Sequence, residues 1–238
     1  MLKNTGLIRR LKRDVLTELP EKRRSIIHVR GDKCKDIAAL FREWDEINRS
    51  IKQLPLEEAR EASFRRQTLV SELFRLSCKA KINVVKKIIQ DIIDQNIPFI
   101  VFCYHKVMMH ALAEILPDAI FINGDTPMEK RQEMVDEFQR GEKTQALLSM
   151  LAAGTGITLT SCSTIIFAEL YFVPGVLLQA EDRCHRIGQK NTVDVRYIVA
   201  ENTLDPRVHE KVLRKIDTLD ACIDGRNDRN MSFYECNF

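Results

Sequence analysis

Short apolar runs alternate with helical patterns over the second half of the chain. Five such runs are FIVFCY (99–104), AIFIN (119–123), QALLSM (145–150), TIIFAEL (164–170) and VDVRYIVA (193–200). Runs that are apolar throughout suit strands buried on both faces, and the segments between them have helical spacing. The pattern therefore predicts an α/β fold in which a parallel sheet carries helices on both faces.

Local signals mark the ends of two helices. TPME (126–129) reads as a capping box with proline at the first helical position, so a helix is predicted after the second strand. Thr203 is the predicted N-cap of a last helix that runs to about Leu219. From Gly225 onward the residues are polar, and we expect a frayed tail.

The stretch before the first of these strands has helical spacing instead. One apolar stripe runs through KDIAALFREWDEINRSIK, and after Pro55 a second pattern covers 69–76 and a third covers 85–93. We interpret this stretch as a helical insertion, the protrusion of a larger lobe. The predicted divisions are a basic segment at 1–32, the helical insertion at 33–96, an α/β lobe at 97–220 and a polar tail at 221–238.

The first 35 residues are basic. They carry eleven Lys or Arg and four Asp or Glu, in a chain whose net charge is +3. A short amphipathic pattern there stops at Pro20, and RRSIIHVR (23–30) follows as a predicted strand. This charge excess indicates either a polyanionic partner or a solvated face, and the sequence leaves both readings open.

Cysteine usage and hydropathy indicate the redox compartment of the protein and its relation to membranes. The seven cysteines show no CxxC spacing, so we expect free thiols in a reducing compartment and no metal site. MLKNTGLIRRLKRD lacks the apolar segment of a signal peptide, and no apolar run approaches the length needed to span a membrane. We therefore expect no membrane partner.

Loops with polar and small residues, three of them with glycine, follow four of the predicted strands, at 104–106, 123–126, 151–156 and 169–175. In open α/β sheets such loops share the carboxyl edge, where ligands bind, and small residues let the backbone approach phosphates. The sequence contains no P-loop, HExxH motif or dinucleotide fingerprint, and DEFQ (136–139) lies within a predicted helix. This chain alone therefore lacks the groups that bind a magnesium nucleotide and position a water.

The stretch QAEDRCHRIGQ places Arg183 and Arg186 three residues apart, on what we predict to be one helical turn. It also contains two i,i+4 pairs with the acid first, Glu181–His185 and Asp182–Arg186. Such pairs stabilise a helix by about 0.2–0.5 kcal/mol each. The alternative is that the two guanidinium groups reach an anionic ligand, and from this stretch alone both interpretations stand.

The order of these features resembles the second RecA-like lobe of superfamily-2 helicases, specifically the SNF2 group of DNA-dependent ATPases. The resembling segments are motif IV at 99–106, the stretch after it at 122–138, motif V at 148–161 and motif VI at 179–189, the last in its form Q-x-x-D-R-x-H-R-I-G-Q. The basic start is similar to the segment that joins the two lobes. The helical zone corresponds to the protrusion that such proteins insert there, and the resemblance extends to about residue 220.

Finer features resemble the annealing-helicase branch of this family, the HepA-related proteins that rewind DNA and remodel stalled forks. These features are FAEL followed by Pro174-Gly175, QAEDR, and YIVAENTLD. The chain departs from the branch at Phe172 and Val173, where Trp and Asn or Asp are usual, and at Tyr104, where the branch commonly has His.

The resemblance implies roles for individual residues. Arg183 and Arg186 would be arginine fingers toward the γ-phosphate of ATP, with Gln179 orienting motif VI. The implied ATP-binding residues are Gly154, Thr155, Gly156 and His185, the last also coupling the lobes. The implied contacts to the DNA backbone are His105, Lys106, Asp125, Thr126 and Thr158. Mg²⁺ would be bound mainly by an N-terminal RecA-like lobe that carries the Walker A and DExH motifs, which this chain lacks.

The resemblance also implies forked or junction DNA as partner, a nuclear location, and replication or repair proteins as further partners. Two other functions stay open at this stage, a non-catalytic DNA-binding module and a protein-interaction platform built on the helical insertion. A fragment of a chromatin-remodelling ATPase is a third. The absent motifs favour a piece of a two-lobe enzyme over a natural half.

Overall fold

The computed structural model describes residues 19–152, 156–224 and 233–237. Within them, every paired strand runs parallel to its neighbour, in the order β3-β4-β2-β5-β6-β1-β7. The strands are β1 Lys22–Arg30, β2 Phe99–Cys103, β3 Ile120–Ile122, β4 Gln145–Ser149, β5 Thr164–Phe167, β6 Val193–Glu201 and β7 Phe233–Asn237. The predicted parallel sheet is confirmed.

Helices cover both faces of this sheet. They are α1 Lys35–Ser50, α2 Leu56–Asp94, α3 Lys106–Ala113, α4 Met128–Gln139, α5 Pro174–Cys184 and α6 Asp205–Asp224, with a 3-10 turn at Ile51–Gln53. In the described part of the chain, no helix combines the length and apolar character needed to cross a bilayer.

The core lies on both sides of the central strand β2. Ile100 and Phe102 pack in one cluster with residues of α4, α5 and α6, whereas Phe99, Val101 and Cys103 pack in another with residues of α2 and α3. Alternate residues of a strand point to opposite faces, so one strand supplies both cores. This explains why β2 is apolar at every position.

The helical zone differs from its prediction, because the second and third patterns belong to one helix of 39 residues, α2. No glycine or proline interrupts it. Ser77 and Lys81, which blur the apolar pattern between 69–76 and 85–93, are fully buried against the rest of the fold. The second half of α2 is therefore part of the core of the sheet, while its first half pairs with α1.

A buried ion pair fixes α2 to the start of α6. Lys81 Nζ lies 2.7 Å from Asp205 Oδ2, and both side chains are 1% exposed. The same carboxylate oxygen accepts the Ala200 N–H, and Ser77 Oγ accepts the Leu204 N–H at 2.8 Å. Neither charge nor hydroxyl is left without a partner, as burial requires.

Three details at the ends of elements differ from prediction. The prediction of a capping box at 126–129 is wrong, because Thr126 Oγ1 accepts the Asn123 N–H and α4 begins at Met128 without a side-chain cap. The last helix, α6, continues beyond Leu219 to Asp224. Part of the predicted frayed tail is strand β7, which pairs with the outer edge of β1.

Thr203 lies one residue before the cap position of α6, which begins at Asp205, and so is not the predicted N-cap itself. Its Oγ1 accepts the N–H of Asp205 at 3.1 Å and donates to the Ala200 carbonyl at 2.7 Å. The side chain therefore satisfies a first-turn N–H that has no partner within the helix.

We predict that Lys81→Met lowers the free energy of unfolding by about 3–5 kcal/mol, because it leaves the Asp205 carboxylate buried and uncompensated. Urea unfolding followed by circular dichroism measures the change. Lys81→Met combined with Asp205→Asn should recover part of the loss, and Arg60→Ala, which removes an exposed ion pair with Glu57, should change little. A single variant as stable as the parent chain would contradict the prediction.

Candidate functional site

The predicted site residues lie at two opposite edges of the sheet. His105, Lys106, Asp125 and Thr126 follow the carboxyl ends of β2 and β3. Helix α5 leaves the carboxyl end of β5 and runs back, so its last residues lie near the amino ends of β1 and β6. The arginines of motif VI therefore occupy the amino edge, a separation that the sequence patterns did not predict.

Motif VI leaves its helix earlier than predicted. Helix α5 ends at Cys184, and His185 has a non-helical backbone with φ −88° and ψ 74°. Arg183 thus belongs to the last turn of α5, whereas Arg186 lies beyond it, so the prediction that the two share one helical turn is wrong. Gln189 stabilises the segment that follows α5, because its Nε2 donates to the carbonyls of Cys162 and Cys184.

Glu181 is the buried centre of the motif. Its carboxylate is fully buried, accepts two hydrogen bonds from Arg24 at 2.7 and 2.6 Å, and lies 2.7 Å from Lys22 Nζ. Tyr197 Oη donates to it at 2.6 Å. Burial would raise the pKa of the Glu181 carboxyl, but the charges of Lys22 and Arg24 outweigh it and lower the pKa to about 2.

These contacts replace the predicted side-chain pair of Glu181 with His185. A fully buried carboxylate needs cations that are buried with it, and β1 supplies them. His185 is 9% exposed and its Nε2 contacts the Pro20 carbonyl at 2.7 Å. Three contacts at residues 20–24 therefore fasten motif VI to the segment before and within β1.

Motif V lies against motif VI. Arg186 Nη1 donates to Thr158 Oγ1 at 3.2 Å, and the Leu159 N–H donates to the Arg183 carbonyl at 2.9 Å. Gly156 is exposed with φ +78°, a left-handed conformation that favours glycine. Gly154 and Thr155, predicted ATP-binding residues, lie outside the described residues.

The charge of Arg186 faces outward. The side chain is exposed, and no carboxylate of the described residues lies within ion-pair distance of its guanidinium group. Arg183 is half-buried, and Gln179 is exposed one turn before it on α5. The amino edge thus presents a cation that donates a hydrogen bond to a neutral hydroxyl, an arrangement suited to an anionic ligand.

At the carboxyl edge, Glu169 holds the motif IV loop. Its Oε2 accepts the N–H groups of Tyr104 and His105, each at 2.8 Å, and its Oε1 contacts His105 Nδ1. Burial would raise the pKa of the Glu169 carboxyl, but the bonds from His105 and the charge of Lys81 outweigh it, so the pKa is lowered. Glu169 therefore positions the first predicted DNA contact.

Sequence reasoning missed Glu169 as a site residue. The sequence feature that could have identified it is an acidic residue near the end of the mostly apolar run TIIFAEL. The Cys78 thiol also lies within 4.8 Å of His105 and Glu169, and burial raises the pKa of that thiol. Because Glu169 already accepts bonds from the loop, we interpret the group as a hydrogen-bonded cluster rather than as a metal centre.

The two predicted DNA-contacting loops touch each other. Lys106 Nζ lies 2.9 Å from Asp125 Oδ2, with both side chains about three-quarters exposed. Arg131 donates to the carbonyls of Asn123 and Thr126 and so holds the second loop in place. His105, Lys106, Asp125 and Thr126 thus form one surface, whereas Thr158 lies with the arginines at the other edge.

Comparison with known proteins identifies the family. Residues 80–188, which contain every predicted site residue, match the "Helicase conserved C-terminal domain". The C-terminal part of the Fun30 ATPase domain shares the fold, with a TM-score of 0.59 at 19% identity over 82% of this chain and 90% of that one. The chain contains a helicase C-terminal lobe.

Two curated relatives resemble this lobe over most of its length. Mouse "DNA annealing helicase and endonuclease ZRANB3" is 34% identical over 236 residues, which are 96% of this chain and 21% of that protein. A Caenorhabditis elegans homologue of "SWI/SNF-related matrix-associated actin-dependent regulator of chromatin subfamily A-like protein 1" is 34% identical over 226 residues, which are 90% of this chain and 31% of that protein. The chain thus spans between a fifth and a third of these relatives.

We predict that Glu181→Gln lowers the free energy of unfolding by about 3–5 kcal/mol near neutral pH, because Lys22 and Arg24 lose their buried counter-charge. The pKa of Glu181 is depressed in the folded lobe from 4.5 to about 2. The stabilisation is therefore complete above pH 4.5 and is lost as the pH falls through about 2.

Chemical unfolding across this pH range measures the difference between parent and variant. That difference should shrink toward the acid end, whereas Glu21→Gln, which alters an exposed partner of Arg23, should have little effect at any pH. A difference that stays constant from pH 5 down to about 2 would contradict the assigned role of this carboxylate.

Proposed function

We propose that this lobe serves a DNA-dependent ATPase and translocase of SNF2 type, an annealing helicase that rewinds or remodels DNA at stalled forks. The observation that carries the proposal is the exposed Arg186 guanidinium, bonded to Thr158 of motif V and facing no carboxylate of the described residues. The names of the relatives, which are DNA annealing helicases and chromatin regulators, support the choice of substrate.

In this proposal the amino edge completes an ATP site. Phosphoryl transfer is accelerated mainly by positioning and by neutralising charge, and guanidinium groups suit both tasks. Arg186 and Arg183 contact the γ-phosphate, and Gln179 orients the helix that carries Arg183. Gly154, Thr155 and Gly156 line the nucleotide, while His185 couples motif VI to the segment at Pro20.

The remaining parts of the ATP site belong to a second lobe. An N-terminal RecA-like lobe supplies the phosphate-binding loop and holds Mg²⁺, since this chain contains no Walker A sequence. Within this chain, the contribution is two positioned cations and the backbone of motif V. The divisions at 1–32, 33–96, 97–220 and 221–238 belong to the same proposal, as inter-lobe segment, protrusion, lobe and tail, although β1, the second half of α2 and β7 pack with the lobe.

The carboxyl edge is the proposed DNA contact. His105, Lys106, Asp125 and Thr126 form the surface described above, and backbone contacts of this kind bind DNA without reading its sequence. The sequence also predicts Thr158 as a DNA contact, although its hydroxyl is bonded to Arg186 at the other edge. Binding of ATP closes the two lobes, and this DNA-contacting surface then moves relative to the DNA-contacting surface of the other lobe.

The proposed setting is the nucleus, with forked or junction DNA as substrate and replication or repair proteins as further partners. The free thiols among the described residues are compatible with a reducing compartment. No residue of this chain is assigned to a protein partner other than the second lobe.

We predict that Arg183→Ala and Arg186→Ala each reduce DNA-stimulated ATP hydrolysis by about 10³-fold or more, because an arginine finger supplies that factor. The measurement uses a chimera in which this lobe replaces the matching segment of mouse ZRANB3, with forked DNA as activator. Arg140→Ala, which alters an exposed pair with Glu142, is the matched control and should keep full activity. Undiminished hydrolysis in both arginine variants would disprove the assignment.

We predict that Lys106→Ala weakens duplex DNA binding to the same extent for every sequence, since a phosphate contact carries no base information. The slope of log K against log salt concentration should become less steep by about 0.9, the value expected for one lost phosphate contact. Fluorescence anisotropy over a salt series measures it. Lys87→Ala, an exposed lysine near the end of α2 that leads to the amino edge, should leave the slope unchanged.

A further inference from the structure

An open cleft of about 660 Å³ lies at the carboxyl edge, beside the proposed DNA contact. Helices α1 and α2 form one wall, and the loops after β2 and β5 form the other, with α6 at one end. Its volume falls within the range of about 300–1,000 Å³ that is usual for ligand pockets. Tyr104 belongs to both the cleft and the motif IV loop, so the cleft adjoins His105 directly.

Aromatic rings line this cleft and support one another. Tyr104 and Tyr171 are stacked with ring centroids 4.8 Å apart, and Phe74 lies 5.2 Å from both Tyr104 and Phe172. Phe74 is buried, whereas the other three rings are half-exposed. Such a set offers flat apolar faces to a planar ligand without needing to rearrange.

The opposite wall holds the one tryptophan of the chain, Trp44. Arg207 lies over its ring at 4.7 Å and over Phe41 at 4.6 Å, and the Asp45 carboxylate binds that guanidinium through two oxygens. Trp44 is therefore held in place from the side of α6. A fixed ring in this position loses little conformational entropy when a ligand binds.

The charged residues of the cleft are all cationic. Arg66 and Lys211 line it, and none of the described aspartates and glutamates does. Among the described residues, neither cation has a carboxylate within 4.0 Å, whereas the adjacent Arg65 is paired with Glu43 at 2.6 Å. Unpaired cations beside aromatic faces complement a ligand that combines anionic and planar groups.

We propose that this cleft binds an unpaired base of single-stranded DNA. The base stacks on the aromatic rings, and Arg66 and Lys211 contact the flanking phosphates. This combination of stacking rings and cations is the one by which proteins hold single strands without reading sequence. The inference rests on the proposed function, because it requires DNA to cross the His105–Lys106 surface next to the cleft.

An unpaired base is required for a physical reason. In duplex DNA the faces of each base are covered by neighbouring base pairs, so a base enters a cleft only after it unstacks. The cleft therefore favours the single-stranded arm of a fork or junction. A duplex would contact only the phosphate-binding surface outside it.

The test compares a short oligothymidylate with an abasic oligonucleotide of equal length and equal charge, added to the purified chain. Oligothymidylate should quench the fluorescence of Trp44 and bind about tenfold tighter than the abasic strand, which is the effect of one stacked base. Tyr171→Ala should remove this preference for bases. Arg66→Ala should weaken oligothymidylate binding about fivefold, as loss of a phosphate contact in a stacking groove predicts.

Arg65→Ala is the matched control, because this neighbouring arginine lies outside the cleft and pairs with Glu43. It should bind like the parent chain. Equal binding of the two oligonucleotides without quenching would overturn the cleft proposal. The proposed contacts to the DNA backbone would then be unaffected. Failure of both to bind would overturn the proposed DNA contact as well, and equal quenching by duplex DNA would overturn the requirement for an unpaired base.

Discussion

The lobe depends on one buried carboxylate that is neutralised from the far end of the chain. Glu181 has no solvent to stabilise its charge, so Lys22 and Arg24, about 160 residues earlier, must lie against it. The pairing brings the end of α5 onto β1 and fixes where the backbone turns after Cys184. The direction of Arg186 follows from that turn. The geometry of the proposed catalytic cation is thus set by an ion pair that lies away from the proposed ligand.

The sheet separates the two proposed activities. Motifs V and VI meet at its amino edge, while the loops of motif IV lie at its carboxyl edge, held by Glu169. Both sets are tied to β5 and its flanking segments, since Gln189 bonds to Cys162 just before that strand and Glu169 follows just after it. The two edges are therefore joined through one strand of the parallel sheet. No side chain needs to reach across.

The sequence patterns predicted the strands well, because strands buried on both faces are apolar at every position. They also placed His105, Lys106, Asp125 and Thr126 at one edge. They failed where a distant partner decides the structure. Lys81 is polar, and only its pairing with Asp205 makes it a core residue and α2 one helix. The end of α5 was missed for the same reason, since the partners of Glu181 come from β1.

The unbroken helix α2 has a geometric consequence. At about 1.5 Å per residue its 39 residues make a rod of roughly 58 Å. Its second half is embedded in the core of the sheet and its first half pairs with α1. Phe74, near the middle, touches the rings of Tyr104 and His105. The rod therefore packs against the motif IV loop near its midpoint, so the half buried in the sheet and the half paired with α1 meet beside that loop.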